Sequence, residues 1–313
     1  MGGAVTLYIF DSRHVWWEHI AKAAEDRGIR AKRIGGLTDV DDADPDSFAF
    51  VRPHPAMMPA HRELDYQLRG LMPVIQDRAQ VEVYEDKSEQ FRRWGYMLPE
   101  TLVTTSRQEA EAYPDTMPNP FPVVSKANEG ASSVNVRIIP DANAYRDHVA
   151  QIWGNGIRVS RCADKTFTTQ RGYIYLQRFI PHTITYRVNI VGNHAAIFER
   201  HNYPDRPVAQ TGNTDNVMEL TPLHESLLDY AWGVADTIGS RFVALDILDD
   251  STPDSDKEAW NWTLIETSLA WPWSATDRSS TPLWLRSGGQ HGTWGDLWGV
   301  MLDDWSAGYF TFT

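Results

Sequence analysis

The sequence predicts a mixed α/β and α+β fold made of three consecutive parts. Residues 5–10 and 29–34 are short runs rich in β-forming residues, and the segment between them repeats its apolar residues at helical spacing. Three prolines within 116–122 indicate a linker that leads into the first of two β-rich blocks. The chain has 313 residues, 42% of them hydrophobic, which is enough to fill the cores of two or three domains.

The first part is predicted to cover residues 1–85 and to begin as a βαβ unit. Asp11 or Ser12 can cap its first helix. A strand at 48–51 follows an acidic, turn-like stretch and ends in the proline-bracketed loop 52–55. Strand, helix and strand within about thirty residues favour an α/β arrangement.

Two further helices and a weak strand are predicted before the linker. The first helix carries leucines at positions 64, 68 and 71. A weaker strand is predicted near 81–84. Asp86 then opens a helix that begins with Lys87 and is closed by Gly95.

The second part, 86–181, and the third part, 182–313, are predicted to be richer in strands. Two β-rich blocks cover 122–139 and 173–200. The third part continues with a helix at 227–238 and with strands at 242–248 and 261–267, which an acidic loop connects. Because that connection is short, we expect the last two strands to form an antiparallel hairpin.

Composition excludes several classes of function. The formal net charge is −13, from 29 basic and 42 acidic residues. This charge argues against general electrostatic binding to nucleic acid or anionic membranes. A local basic groove remains an alternative, because net charge does not say where the basic residues lie. Cys162 is the only cysteine, so an internal disulfide framework and a cysteine-based metal cluster are excluded. No apolar run reaches transmembrane length and no signal peptide is evident, so we expect a cytoplasmic protein.

The first chemical motif is a lysine followed by a loop of small residues. An apolar strand delivers Lys126, and the following loop includes Gly130, Ala131, Ser132 and Ser133. A cation at fixed reach and a flexible loop with free N–H groups are what phosphates require. The order of a Walker A loop is absent, and a surface lysine beside an ordinary hairpin turn is the alternative interpretation.

The second motif is a pair of carboxylates in apolar strands. Asp246 lies in the strand 242–248, and Glu266 lies in the strand 261–267. A carboxylate inside an apolar run is costly to bury unless it is paired or binds a cation. If both face one cleft, they form an oxygen site suited to Mg²⁺ that bridges nucleotide phosphates; two carboxylates that reach solvent are the alternative.

The third motif places arginines in β-rich sequence. Arg187 and Arg200 lie in or beside apolar strands, downstream of the segment 177–180. A guanidinium held there needs an anionic partner, and its fork suits a phosphate or a carboxylate. Structural salt bridges are the alternative interpretation.

Taken in this order, the three motifs resemble those of the ATP-grasp superfamily, particularly its carboxylate–amine ligases. The ribosomal-protein glutamate ligases and the D-alanine–D-alanine ligases are examples of that group. The resemblance runs from about Lys87 to Ser268. It implies a three-part architecture in which ATP lies between the central and C-terminal domains.

The resemblance also implies roles for individual residues. Lys87 and Lys126 would touch the nucleotide phosphates, and the loop Gly130–Ser133 would close over them. The backbone of Gln177, Arg178, Phe179 and Ile180 would read the adenine edge. Arg187 and Arg200 would stabilise the transferred phosphate, while Asp246, Glu266 and Ser268 would hold Mg²⁺.

Three positions depart from the family pattern. Arg178 stands where an acidic hinge residue is usual, and Thr185 stands where an Asp often precedes the conserved arginine. Ser268 replaces the usual amide ligand, which puts affinity for a second Mg²⁺ in question.

The implied reaction is ligation through an acyl phosphate, with release of ADP and phosphate. The partners would be a small-molecule or peptide carboxylate and an amine acceptor. A phosphotransferase with a hydroxyl acceptor and a catalytically impaired nucleotide-binding protein are the alternatives. Trp271 and Trp273 follow the metal motif and are predicted to face the acceptor, whereas most other C-terminal tryptophans are expected to fill the core. Neither the acceptor nor the oligomeric state can be read from the sequence.

Overall fold

A computed structural model describes most of the chain. The described residues are 5–11, 16–40, 46–52, 58–76, 78–83, 86–128, 135–161, 166–203, 206–251, 260–269 and 279–308.

The N-terminal part is a three-stranded parallel sheet with helices beside it. Its elements are β1 (Thr6–Asp11), α1 (Trp17–Glu25), β2 (Arg30–Arg33), β3 (Phe48–Arg52), α2 (Met58–Arg69) and α3 (Arg78–Val83). The strand order is β2-β1-β3, with β1 central, and β1 pairs parallel with β2, as the predicted βαβ opening requires. Leu7 and Ile9 of β1 and Phe48 and Phe50 of β3 are completely buried in the core that they share.

One element prediction in this part is wrong. Residues 78–83 form the short helix α3 where the sequence predicts a strand. Arg78 and Glu82 form an ion pair at 2.7 Å with the i,i+4 spacing of a helix. Val83 packs in a cluster with Trp94 of the next helix. Tertiary packing therefore outweighs the β propensity of the two valines in this segment.

The central part is a four-stranded antiparallel sheet that helices cover on one face. Its elements are α4 (Lys87–Trp94), β4 (Thr101–Thr104), α5 (Arg107–Ala112), β5 (Val123–Lys126), β6 (Val136–Ile139), α6 (Ala142–Trp153), β7 (Ile157–Arg161), β8 (Thr166–Gln170) and β9 (Ile174–Arg178). The strand order is β4-β9-β5-β6, and β7 pairs with β8 separately. Along β5, Val123 and Ser125 face α5 and α6, so Val124 and Lys126 face the opposite side.

The C-terminal part is a larger antiparallel sheet. Its elements are β10 (Ile184–Val191), β11 (His194–Tyr203), β12 (Arg206–Asn216), α7 (Pro222–Ile238), β13 (Phe242–Asp249), β14 (Trp262–Ser268), β15 (Pro282–Leu285), β16 (Gln290–Thr293) and α8 (Leu297–Ser306). The order is β14-β13-β10-β11-β15-β16, with β12 paired to β11. The predicted hairpin is confirmed, because β13 and β14 pair antiparallel. Helix α7 packs on one face of the sheet, against Val188, Leu245 and Ile247.

The other face of this sheet packs on the N-terminal part. Phe50 of β3 meets Phe242 of β13 edge to face, with ring centroids 6.1 Å apart. Helix α8 returns to the N-terminal sheet, where Trp298 contacts Phe50 at 5.5 Å and Trp305 stacks on Phe48 at 3.7 Å. The C-terminal tryptophans that are buried, as expected, are Trp262, Trp284, Trp294 and Trp298. Among the helices in the described ranges, none combines the length and the apolar character needed to cross a membrane.

A buried histidine makes the central part sensitive to acid. His148 of α6 is 2% exposed, and its Nε2 shares a hydrogen bond of 2.8 Å with Ser125 Oγ. Burial, with a smaller contribution from the charge of Arg137, lowers the pKa of His148 to about 4. The unfolded chain takes up this proton near the ordinary value of about 6.5, so stability present above pH 6.5 is lost as the pH falls toward 4.

We therefore expect His148→Gln to flatten the acid side of the stability profile. Relative to pH 7, the wild type should lose about 2 kcal/mol more than the variant by pH 5. Denaturant unfolding between pH 7 and 4.5 measures this difference. His19→Gln, at an exposed position of α1, is the matched control. Parallel profiles for the wild type and His148→Gln would contradict the prediction.

Candidate functional site

A cleft of about 660 Å³ lies between the central sheet and the C-terminal sheet. Residues from both sheets and from the segment that connects them line it. They are Val124, Lys126, Val136, Gln177, Arg178, Phe179, Ile180, His182, Thr185, Arg200, Asp246, Leu248, Ile265 and Glu266. One set of these side chains is apolar, and the other is charged.

The apolar set forms two facing walls. Val124 of β5 and Val136 of β6 belong to the central sheet, whereas Leu248 of β13 and Ile265 of β14 belong to the C-terminal sheet. Phe179, in the connecting segment after β9, also lines the cleft. A slot with apolar walls contributed by two sheets suits a flat ring such as a nucleobase.

Two lysines flank Glu266. Lys87 Nζ lies 3.2 Å from Glu266 Oε1, and Lys126 Nζ donates a hydrogen bond of 3.1 Å to the carbonyl of Ile265. Lys126 is 6% exposed, and this burial lowers its pKa to about 8, although the charge of Glu266 opposes the shift. A buried ammonium group of this kind gains most from an anion that enters the cleft.

The start of α4 fixes the position of Lys87. The Asp86 side chain caps the helix by accepting a hydrogen bond from the Glu89 N–H at 3.0 Å. Lys87 N–H donates to the carbonyl of Asn128, and Ser88 N–H donates to Asn128 Oδ1 at 2.8 Å. These contacts tie α4 to the segment just after β5, so the two lysines are held together.

Two arginines converge on Asp246. Arg187 Nη1 lies 3.5 Å from Asp246 Oδ1, and Arg200 Nη1 lies 3.3 Å from the same oxygen. Arg187 also donates a hydrogen bond to Ser268 Oγ. Asp246 stands directly opposite Glu266 in the register of β13 and β14. The structure thus brings all five of these residues, with Lys87 and Lys126, to one end of the cleft.

The predicted adenine-reading segment lies at the other end. Gln177 is buried, and its amide donates to Thr101 Oγ1 at 3.3 Å. The Arg178 guanidinium forms ion pairs with two carboxylates: its Nε lies 2.5 Å from Glu100 and its Nη2 lies 2.5 Å from Asp250. Arg178 therefore links the central sheet to the C-terminal sheet.

Several predicted residues lie outside the described part of the chain. They are the loop residues Gly130, Ala131, Ser132 and Ser133, the acceptor-side residues Trp271 and Trp273, and residues 53–55 of the N-terminal loop.

His182 is a cleft residue to which the sequence assigns no role. Its Nδ1 lies 2.7 Å from the carbonyl of Ile180, and because a carbonyl only accepts, Nδ1 must carry the proton. Burial lowers the pKa of His182, which favours the neutral ring with Nε2 as an acceptor. Asn202 Nδ2 donates a hydrogen bond of 2.7 Å to the His182 carbonyl. The position of His182 just after the 177–180 segment is the one sequence signal that could have identified it.

The comparisons with known proteins find similar structures only. No protein-family model matches the sequence, and no curated protein sequence matches it.

Three solved structures illustrate the likeness. An ATP-grasp RimK domain protein from Sphaerobacter thermophilus DSM 20745 is 16% identical, with a TM-score of 0.58 over 96% of this chain and 99% of that one. The D-alanine–D-alanine ligase from Bacillus anthracis is 13% identical, with a TM-score of 0.58 over 98% of this chain and 97% of that one. The macrocyclase MdnC from Microcystis aeruginosa MRC, bound with the precursor peptide MdnA, is 14% identical, with a TM-score of 0.56 over 87% of this chain and 93% of that one.

Proposed function

Because this chain has the ATP-grasp fold, we propose that it is an ADP-forming ligase that joins a carboxylate to an amine. The observation that carries the proposal is the convergence of Lys87, Lys126, Arg187 and Arg200 on the Asp246–Glu266 pair at one end of an apolar slot. An ATP molecule with its base in the slot would place its phosphates among these cations.

The two carboxylates fit a magnesium ion. No group of three or more His, Cys, Asp or Glu side chains in the described ranges is arranged to hold a metal by itself. Mg²⁺ in nucleotide sites needs only one or two protein carboxylates, because phosphate oxygens and water complete its shell. Asp246 and Glu266 would hold the ion, which would offset phosphate charge. The Ser268 hydroxyl, which accepts from Arg187, would act through that arginine or through a bound water.

The proposed reaction has two steps. A carboxylate oxygen of the substrate attacks the γ-phosphorus, the bond to the bridging oxygen breaks, and ADP leaves. The amine then attacks the carbonyl carbon of the acyl phosphate, inorganic phosphate leaves, and the amine nitrogen loses a proton. Lys126 balances charge on the phosphates, while Arg187 and Arg200 steady the transferring group. None of these steps requires a side-chain nucleophile.

The substrates are proposed as a class. The neighbouring structures include a ligase of D-alanine and a macrocyclase bound with a precursor peptide. Both a small-molecule acid and a peptide acid are therefore candidates here, with an amine as the acceptor.

We expect ADP and phosphate to form only when an acid and an amine are supplied together with Mg·ATP. Coupled ADP assays with pooled amino acids and peptides, supplied together and singly, measure this requirement. A phosphorylated product without condensation would instead indicate a phosphotransferase. ATP binding without turnover across the whole pool would contradict both the ligase and the phosphotransferase proposals. The departures from the family pattern at Thr185 and Ser268 would then indicate that the protein has lost catalytic activity.

A further inference from the structure

The first turn of α4 is capped mainly by a residue that is distant in the sequence. The N–H groups of a first helical turn have no acceptor within the helix. The Asp86 side chain accepts from one of them, Glu89 N–H, at 3.0 Å. Asn128 accepts from two: its carbonyl takes Lys87 N–H at 3.2 Å, and its Oδ1 takes Ser88 N–H at 2.8 Å. Asn128 therefore satisfies more of this helix end than the side chain of the cap residue does.

Two residues of the central part fix the orientation of Asn128. Gln170, at the end of β8, accepts a hydrogen bond of 2.9 Å from Asn128 N–H, and the Gln170 amide donates to the Tyr173 carbonyl at 3.3 Å. The Tyr173 hydroxyl donates to Asn128 Oδ1 at 3.4 Å. Because Ser88 N–H and this hydroxyl donate to the same oxygen, the Asn128 amide has one orientation, with Oδ1 toward α4.

This cap controls where the Lys87 ammonium lies. Lys87 is the first residue of α4, its side chain is 6% exposed, and its Nζ lies 3.2 Å from Glu266 Oε1. A buried side chain follows its backbone, so a shift of the helix start moves the ammonium within the cleft. The N–H groups of Lys87, Ser88 and Glu89 are already bonded, so the contribution of this turn to an anion is the ammonium and none of these three N–H groups.

We propose that Asn128 is a positioning residue that raises nucleotide affinity by holding Lys87 in place. The inference rests on the proposed function, because it requires ATP phosphates beside Lys87. Asn128 is not among the described residues that line the cleft, so its effect passes through Lys87. In a preorganised site, displacement of a charged group by about 1 Å is enough to weaken its interactions. An ordinary helix cap contributes stability alone, and this difference separates the two roles.

A double-mutant cycle on nucleotide binding tests the proposal. Calorimetric titration with Mg·ATP, without any acid or amine, gives the Kd of the wild type and of each variant. We expect Asn128→Ala to raise the Kd by about five- to tenfold, and Lys87→Met to raise it at least as much. In the Lys87→Met background, Asn128→Ala should change the Kd by less than about twofold, because the ammonium that it positions is absent.

Asp141→Ala is the matched control for the loss of a helix cap. Asp141 accepts hydrogen bonds of 2.9 Å from Asn143 N–H and Ala144 N–H at the start of α6, which packs on the face of the central sheet opposite Lys126. Both Asn128→Ala and Asp141→Ala should lower the Tm by about 2–4 °C. Asp141→Ala should nevertheless keep the wild-type Kd for Mg·ATP. Asn128→Ser, which keeps a shorter acceptor, should raise the Kd less and replaces Asn128→Ala in the cycle if that variant does not fold.

Three results would overturn the assignment. They are a wild-type Kd in Asn128→Ala, the same rise in Kd from Asn128→Ala with and without Lys87, and an equal rise in Asp141→Ala. A wild-type Kd in Lys87→Met would show that Lys87 lies outside the nucleotide site, which also removes the basis of this inference. Failure of the wild type to bind Mg·ATP at all would refute the proposed function itself.

Discussion

Lys126→Met should abolish Mg·ATP binding and at the same time make the nucleotide-free protein more stable. The Lys126 pKa of about 8, against the ordinary 10.5, means that burial of its charge at pH 7 costs about 3 kcal/mol. The unfolded chain keeps this proton up to pH 10.5, so the penalty is present below pH 8 and is relieved as the pH rises from 8 to 10.5. Methionine removes the penalty, although the Ile265 carbonyl loses a donor. We expect a net gain of about 1–2 kcal/mol.

Denaturant unfolding at pH 7 and thermal shifts with increasing Mg·ATP measure the two effects. The wild type should gain stability from the nucleotide, whereas Lys126→Met should show no gain. Lys22→Met is the matched control, because Lys22 is exposed and pairs with Asp26 across one helical turn. If Mg·ATP raised the Tm of the wild type and of Lys126→Met by the same amount, Lys126 would not be part of the nucleotide site.

Glu266→Gln should reduce ligation by about 100- to 1,000-fold while leaving the fold intact. The substitution keeps the shape of the side chain but removes the negative charge that offsets Lys87 and that would hold Mg²⁺. Asp246 keeps its two arginines in this variant, so the rest of the charged cluster persists. Because Glu266 is partly exposed, we expect the folded structure to tolerate this substitution.

Initial rates of ADP release across a series of Mg²⁺ concentrations provide the measurement for Glu266→Gln. We expect the Mg²⁺ concentration for half-maximal rate to rise and the maximal rate to fall. Glu63→Gln, at an exposed position of α2, controls for the loss of one carboxylate. Wild-type rates and Mg²⁺ dependence in Glu266→Gln would show that this residue is no metal ligand.

Much of the candidate site could be predicted because its residues break local patterns. A carboxylate or an arginine inside an apolar strand has few stable environments, and strand alternation decides which residues share its face. The prediction that Asp246 and Glu266 face one cleft needed only the short connection between their strands, and the register confirms that they are opposite each other. The α/β character of the N-terminal part followed from the βαβ opening in the same way, whereas the three-part architecture followed from the resemblance to the ATP-grasp enzymes.

Features that depend on distant contacts could not be predicted. Val83 of helix α3 lies in one buried cluster with Trp94 of α4, and local propensity does not reveal such packing. The partners of Arg178, Glu100 and Asp250, lie 78 and 72 residues away in the sequence. The role of an arginine at this position was therefore visible only in the folded structure.

The return of α8 to the N-terminal sheet has a consequence for synthesis of the protein. Trp298 and Trp305 complete the core around Phe48 and Phe50, so this core contains residues translated roughly 250 positions apart. The N-terminal sheet emerges from the ribosome before α8, yet its core is not complete until α8 has emerged. We therefore expect nascent chains without α8 to expose aromatic surface and to bind chaperones.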